Sequence, residues 1–109
     1  MSAGDFASRI IDLAAKHDFI QDYSIDVNEA VVLNARIDLE KGFIDIYRNF
    51  ETGKTAFAWI IDEKRVYGAD NTGGWHTHPF SDPESHQESD EVKLEEFVQR
   101  VCETLEPEE

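Results

Sequence analysis

The fold is decided by residues 31–69, which have the sequence VVLNARIDLEKGFIDIYRNFETGKTAFAWIIDEKRVYGA. Apolar and polar side chains alternate along the start of this stretch, and one face carries Val31, Leu33, Ala35, Ile37 and Leu39. A period of two is typical of a strand with one buried face. Three more strand-like segments follow after short turns, at residues 43–50, 55–61 and 65–69. Because short connections favour antiparallel neighbours, the stretch predicts a meander of about four strands.

Helical periodicity flanks this stretch on both sides. Apolar residues spaced by three and four predict a first helix from Asp5, as its N-cap, to His17. A second helix is predicted from Ser89, also as N-cap, to Leu105. Its apolar stripe comprises Leu94, Phe97, Val98, Val101 and Leu105. The fold class expected is therefore α+β, an antiparallel meander of about four strands with N-terminal and C-terminal helices packed on one face.

The composition is typical of one folded domain over residues 1–109. A chain of 109 residues has room for a single core, and 40% apolar residues exceed what a disordered acidic tail contains. The lone Cys102 excludes an internal disulfide and a cysteine-rich zinc site, and we expect it to be a small core residue. Because the chain has neither a long apolar run nor a secretory signal, we expect a cytoplasmic protein without membrane contact.

The charge is strongly negative and unevenly distributed. The net charge is −14, and residues 81–109 hold 11 acidic side chains against two basic ones. RNA is disfavoured as a partner because binding to phosphates releases counterions from a basic surface. An RNA substrate would need a bound metal or a local phosphate-binding patch of Arg48, Lys64 and Arg65. The acidity also fits a high-salt cytoplasm, or a basic partner protein that docks on the C-terminal third.

Residues 70–88 lose the periodicity and gather the titratable groups. Gly73, Gly74, Pro79 and Pro83 exclude a continuous helix or central strand there. Three of the four histidines fall in this loop, at positions 76, 78 and 86. The residue before a proline favours extended backbone, so the side chains of positions 76 and 78 should point to the same side. Those of positions 75 and 77 should then face the core.

Such a histidine cluster has three chemical uses. His76, His78 and His86 could ligate zinc as the cofactor and leave one position for water. Two histidines could instead act as base and acid on an RNA 2′-hydroxyl without a metal, or they could simply hold the loop in shape. The candidate catalytic residues are His76, His78, His86 and Asp70, with Asp70 orienting one imidazole. We assign no site role to His17.

The loop resembles the signature of the TumE-like toxin family. The resemblance lies in GADN at residues 68–71, WHTHPF at residues 75–80, and then Pro83 and His86. Proteins of that family are small α+β chains of prokaryotic toxin–antitoxin pairs, with a histidine-rich loop before the last helix. The order of elements is similar over roughly residues 30–105, although this chain lacks the family's doubled histidines and the lysine among them. The resemblance implies a toxin component with ribonuclease or other hydrolase activity at the loop, and a cognate antitoxin as partner.

A second resemblance predicts a different enzyme. Residues 74–79, GWHTHP, are similar to the JAMM metalloprotease motif, in which His-x-His-Pro is followed by six residues and then Ser-x-x-Asp. Here five residues separate Pro79 from Ser85, and Glu88 replaces the aspartate. The upstream catalytic glutamate would have to be Glu29. A JAMM-like zinc hydrolase is therefore one alternative, and a non-catalytic acidic protein-binding module is another.

Overall fold

The computed structural model describes residues 2–80, 82 and 84–105. The elements follow in the order α1 (Ala3–Lys16), β1 (Ile20–Asn28), β2 (Val32–Leu39), β3 (Phe43–Asn49), β4 (Thr55–Ile61), β5 (Lys64–Asp70), β6 (His76–His78), β7 (Gln87–Glu88) and α2 (Leu94–Leu105). Each strand pairs antiparallel with the next, so the sheet order is the chain order. Pro83, one of the predicted chain breakers, lies outside the described residues. Among those residues, neither helix is long and apolar enough to cross a membrane.

The α+β class with a helix at each end is confirmed, but the prediction of about four strands is wrong because the sheet has seven strands in the described part of the chain. The prediction omits β1, in which Tyr23, Ile25 and Val27 do alternate with polar residues. Seven of its nine residues are exposed, and a bulge between Ile20 and Asp22 shifts the alternation. β6 and β7 are three and two residues long, too short to show a period. They form by pairing with β5 and with each other, which no local pattern shows.

The core fills the space between the two helices and one face of the sheet. The strand register places Ile46, Phe57 and Ala69 side by side on that face. The Phe97 ring of α2 stacks against the rings of Phe57 and Tyr67, with centroids 5.4 and 4.9 Å apart. The buried apolar residues of both helices belong to the same cluster as these strand residues. The alternate residues of each strand therefore form the outer face of the sheet, which points away from the helices.

Both predicted N-caps are wrong. Ser2 caps α1, and Asp5 occupies the third helical position, where its carboxylate accepts from Ser2 N at 3.2 Å in a capping box. α2 begins at Leu94 rather than near Ser89: the N–H of Phe97 donates to the carbonyl of Lys93 at 3.0 Å, and the Ser89 hydroxyl donates to the carbonyl of Asp90 instead of capping the helix. The predicted stripe is otherwise confirmed, since Leu94, Phe97, Val98 and Val101 are all buried. Cys102 is buried beside them, as expected.

An ion pair joins the two helices. Arg9 donates from Nε to Oε2 of Glu95 at 2.6 Å and from Nη2 to Oε1 of the same carboxylate. The two side chains are 29% and 44% exposed, so solvent screens their attraction. The hydrogen bonds from Arg9 lower the pKa of Glu95. This pair links α1 to α2 above the sheet and adds to the packing of both helices on the core.

Replacing Glu95 with Gln should lower the free energy of unfolding by about 1 kcal/mol or less at neutral pH, because the pair is partly exposed. A carboxyl group whose pKa is lowered on folding stabilises the fold above its ordinary value of 4.5, and this contribution is lost as the pH falls through the lowered pKa. The difference between wild type and Glu95→Gln should therefore shrink in urea titrations carried out at progressively lower pH. The exposed Glu103→Gln is the matched control on α2. A difference that persists unchanged after Glu95 is protonated would contradict this account.

Candidate functional site

The pairing of β5 with β6 builds the candidate site. His76 lies opposite Asp70, and His78 lies opposite Gly68. Paired residues share a face, so all four belong to the outer face of the sheet. Trp75 points the other way and stacks on Phe57 of the core, with ring centroids 6.4 Å apart. The prediction that positions 76 and 78 point to one side is in agreement with this arrangement.

One carboxylate holds both histidines. Nε2 of His76 lies 3.2 Å from Oδ1 of Asp70, and Nε2 of His78 lies 3.3 Å from Oδ2. Burial raises the pKa of Asp70, but hydrogen bonds from the Thr72 N–H and from His78 outweigh this, so the pKa is lowered overall. Asp70 is thus an ionised carboxylate that accepts a hydrogen bond from His78 and lies against a second imidazole, that of His76, one more than the sequence predicts.

His86 completes a cluster of three imidazoles. β7 begins directly after His86 and pairs with β6, so the chain at His86 lies beside the two histidines of β6. The ring centroid of His86 is 4.8 Å from that of His76 and 4.5 Å from that of His78, and the latter two are 5.2 Å apart. One nitrogen from each ring lies within 4.8 Å of the other two. The structure therefore brings together all four predicted catalytic residues, whereas His17 lies at the C-terminal end of α1.

Arg65 joins the cluster because β5 contains a bulge. The register passes from Trp59 opposite Tyr67 to Ile60 opposite Arg65, which leaves Val66 as the extra residue. Tyr67 faces the core, and an uninterrupted strand would turn Arg65 to the same side. The bulge turns it to the outer face instead, where Nη2 lies 3.2 Å from Nδ1 of His78.

The contact with Arg65 fixes the tautomer of His78. A guanidinium only donates, so Nδ1 of His78 is an acceptor and its proton sits on Nε2, which donates to Asp70. Burial, and then the charge of Arg65, lower the pKa of His78. His78 is therefore a neutral imidazole, only 2% exposed.

Gly68 makes room for these side chains. A Cβ at this position would lie 3.0 Å from Cδ of Arg65, 3.3 Å from the carbonyl oxygen of Phe57 and 3.5 Å from Cδ2 of His78. The first two distances are tighter than ordinary van der Waals contact. The absence of a side chain thus lets the His78 ring and the Arg65 stem occupy the outer face together.

The predicted phosphate-binding residues do not form one patch. Lys64 and Arg65 are neighbours at the start of β5, and both are exposed. Arg48 lies on the helix-facing side of the sheet, where Nη1 is 3.2 Å from Oγ1 of Thr55. Its guanidinium also lies over the rings of Phe6 and Phe50, 5.4 and 5.3 Å from their centroids. The structure therefore does not bring Arg48 to the histidines.

The glutamates required by a JAMM-like site are separated in the sheet. Glu29 lies in the turn between β1 and β2, and three strands separate β2 from β6. At about 4.8 Å per strand this distance exceeds the reach of a side chain. Glu88 is directly opposite His76, on the same face. Glu88 is thus the glutamate that the fold brings next to the cluster.

No protein-family model matches the chain, and no curated protein or solved structure shows significant similarity to it. The resemblance to TumE-like toxins therefore stays a prediction that concerns the loop.

His78 and His86 should differ in how much they contribute to the stability of the fold. His78 is buried with both nitrogens engaged, so His78→Ala leaves polar partners unsatisfied and should lower the free energy of unfolding by about 1–3 kcal/mol. His86 is exposed, so His86→Ala should change it by less than about 0.5 kcal/mol. Urea unfolding of the metal-free protein measures both values. Equal losses in the two variants would show that the cluster is not organised around a buried His78.

Proposed function

We propose that His76, His78 and His86 bind a zinc ion and that the chain uses this ion as a hydrolase. The observation that carries the proposal is the convergence of three imidazole nitrogens within 4.8 Å, beside a carboxylate that contacts two of the rings. Neutral imidazole is a preferred ligand of zinc, and three protein ligands are typical of a catalytic zinc that keeps a position for water.

The state of His78 supports a metal site. Metal ligands must be deprotonated, and burial together with the charge of Arg65 lowers the pKa of His78. The three ring centroids lie 4.5–5.2 Å apart, so the rings are close enough to share one ion after a small shift. Tetrahedral zinc with Zn–N bonds of about 2.0–2.1 Å needs nitrogens roughly 3.3 Å apart. His86, exposed and preceding the short β7, is the residue that moves inward to close the difference.

The carboxylates around the cluster have separate roles in this proposal. Asp70 stays on Nε2 of His78 and orients the ring, while Nδ1 becomes the ligand after the exposed Arg65 side chain moves away. A zinc ion held by the three histidines would activate water for hydrolysis by lowering its pKa. Glu88, opposite His76, would be the proton acceptor beside the site.

Metal-free acid–base cleavage of RNA has weaker support from the geometry. That mechanism needs two imidazoles that reach the substrate from opposite sides of a phosphate. His78 is almost fully buried, and its nitrogens contact Arg65 and Asp70. RNA is nevertheless the substrate that the TumE-like resemblance implies. An open cavity of about 570 Å³ next to Arg65 has two cations and two carboxylates in its lining, so attraction of a phosphate depends on the charge of the metal.

Zinc titrations of the whole chain test the binding step. We expect one zinc per chain by competition with a chromophoric chelator, and affinity lowered by about 100-fold or more in His76→Ala and by about 10–100-fold in Asp70→Asn. Arg65→Met should bind zinc more tightly, because it removes a competing donor and a positive charge. His17→Ala is the matched histidine control. Zinc binding that is absent, or equally strong in His76→Ala and His17→Ala, would refute the proposal.

Hydrolysis assays on RNA and on simple phosphate and carboxylate esters test the catalytic step. Activity should disappear with a chelator and return with zinc. Glu88→Gln should lower kcat by about 100-fold or more at unchanged zinc affinity, because it removes the proton acceptor and no ligand. Hydrolysis that resists the chelator would contradict a zinc mechanism, and full activity of Glu88→Gln would exclude the role of Glu88.

A further inference from the structure

The outer edge of β1 lies far from the histidine cluster, at the opposite end of the sheet. β1 is nine residues long and, within the described residues, it pairs with β2 on one side only. A long edge strand presents a row of backbone N–H and C=O groups, which is a template for the addition of another strand. The opposite edge of the sheet is formed by the two-residue β7, which is too short to serve as such a template.

The two faces of β1 have different chemistry. The register places Asp22, Ser24 and Asp26 on the outer face, opposite Asp38, Arg36 and Asn34 of β2. The carboxylate of Asp22 lies at the backbone itself, since Oδ1 accepts from the N–H of Tyr23 at 2.8 Å. A strand added next to β1 therefore meets two carboxylates on the outer face.

The helix-facing side of β1 is apolar and remains open. Tyr23 and Val27 are 39% and 40% exposed although their partners Ile37 and Leu33 on β2 are buried. A groove of about 260 Å³ runs between α1 and β1, and Ile11, which is 44% exposed, lies in its wall. The apolar surface thus continues from the strand edge to α1, where side chains of an added strand find contacts.

We propose that the edge of β1 binds an extended segment of another protein in which lysine or arginine alternates with apolar residues. The basic side chains of this segment pair with Asp22 and Asp26 on the outer face. Its apolar side chains lie beside Tyr23 and Val27 and enter the groove at Ile11. Backbone hydrogen bonds supply affinity, and the alternation supplies specificity.

A second copy of this chain fits the edge poorly. Antiparallel pairing of two β1 strands about Ser24 would place Asp22 opposite Asp26 of the other copy, twice. Like charges directly opposite each other are destabilising, and each copy also carries a net charge of −14. A basic segment avoids both the repulsion between aspartates and the repulsion between two acidic chains. Because β1 and β6 are separated by four strands in the sheet, the bound segment leaves the histidines accessible.

Peptide binding to the whole chain tests this proposal. The probe is a labelled peptide KVKIKVKIK, of the same length as β1, and the comparison peptides are a scrambled one of equal composition and EVEIEVEIE. Fluorescence anisotropy should show saturable binding of the alternating basic peptide, about tenfold or more tighter than binding of the scrambled one. Amide hydrogen exchange should slow in β1 and not in β7, because only β1 gains backbone partners.

Charge-reversal variants separate the edge from general attraction to an acidic protein. Asp22→Lys with Asp26→Lys should weaken binding by about tenfold or more, whereas Glu51→Lys with Glu103→Lys, which changes the net charge equally, should weaken it by about threefold or less. If the first variant does not fold, Ile11→Ser, which keeps the charge, should still weaken binding by several-fold. Equal weakening by both charge variants, equal binding of the scrambled peptide, or self-association of the chain without peptide binding would each overturn the proposal.

Discussion

The pairing of β5 with β6 is the contact on which the candidate centre depends. It converts part of an irregular-looking loop into a strand, places His76 against Asp70, and lets the His78 ring lie over the bare backbone of Gly68. β7 then pairs with β6, and this pairing brings His86 and Glu88 next to the two histidines of β6. Because β5 is itself held by β4 and the core, the side chains of the centre stand on a sheet rather than on a free loop. Rigid support of this kind is what a metal site requires of its ligands.

The bulge at Val66 adds a charge to this arrangement. It turns Arg65 away from the core, and the guanidinium then holds Nδ1 of His78 while Asp70 holds Nε2. Burial and the charge of Arg65 lower the pKa of His78 more than Asp70 raises it, so the imidazole stays neutral. The same contacts create competition, because a metal at Nδ1 must displace Arg65. Asp70, which contacts both rings of β6, would offset part of the charge that the metal brings.

The sequence predicts the elements that bury one face and misses those that do not. The alternation in β2 and the stripe of α2 are visible because water is excluded from one side of each. In β1 the alternation covers only residues 22–28, after a bulge, and most of the side chains are exposed. The shared side of His76 and His78 follows from extended backbone. The approach of His86 and the direction of Arg65 depend on a non-local pairing and on a bulge, which leave no local pattern. The direction of Arg48, in contrast, follows from the local pattern. Arg48 lies two residues after Ile46 on β3, so both side chains face the helices.

X-ray absorption at the zinc edge of the metal-loaded chain tests the central claim most directly. The account predicts three imidazole nitrogens at about 2.0–2.1 Å with the multiple-scattering pattern of histidine, and no sulfur ligand. In His76→Ala the histidine pattern should weaken or the zinc should be lost. A spectrum of oxygen ligands alone, as carboxylates on an acidic surface would give, or an unchanged spectrum in His76→Ala, would contradict a metal centre built on the β6 histidines.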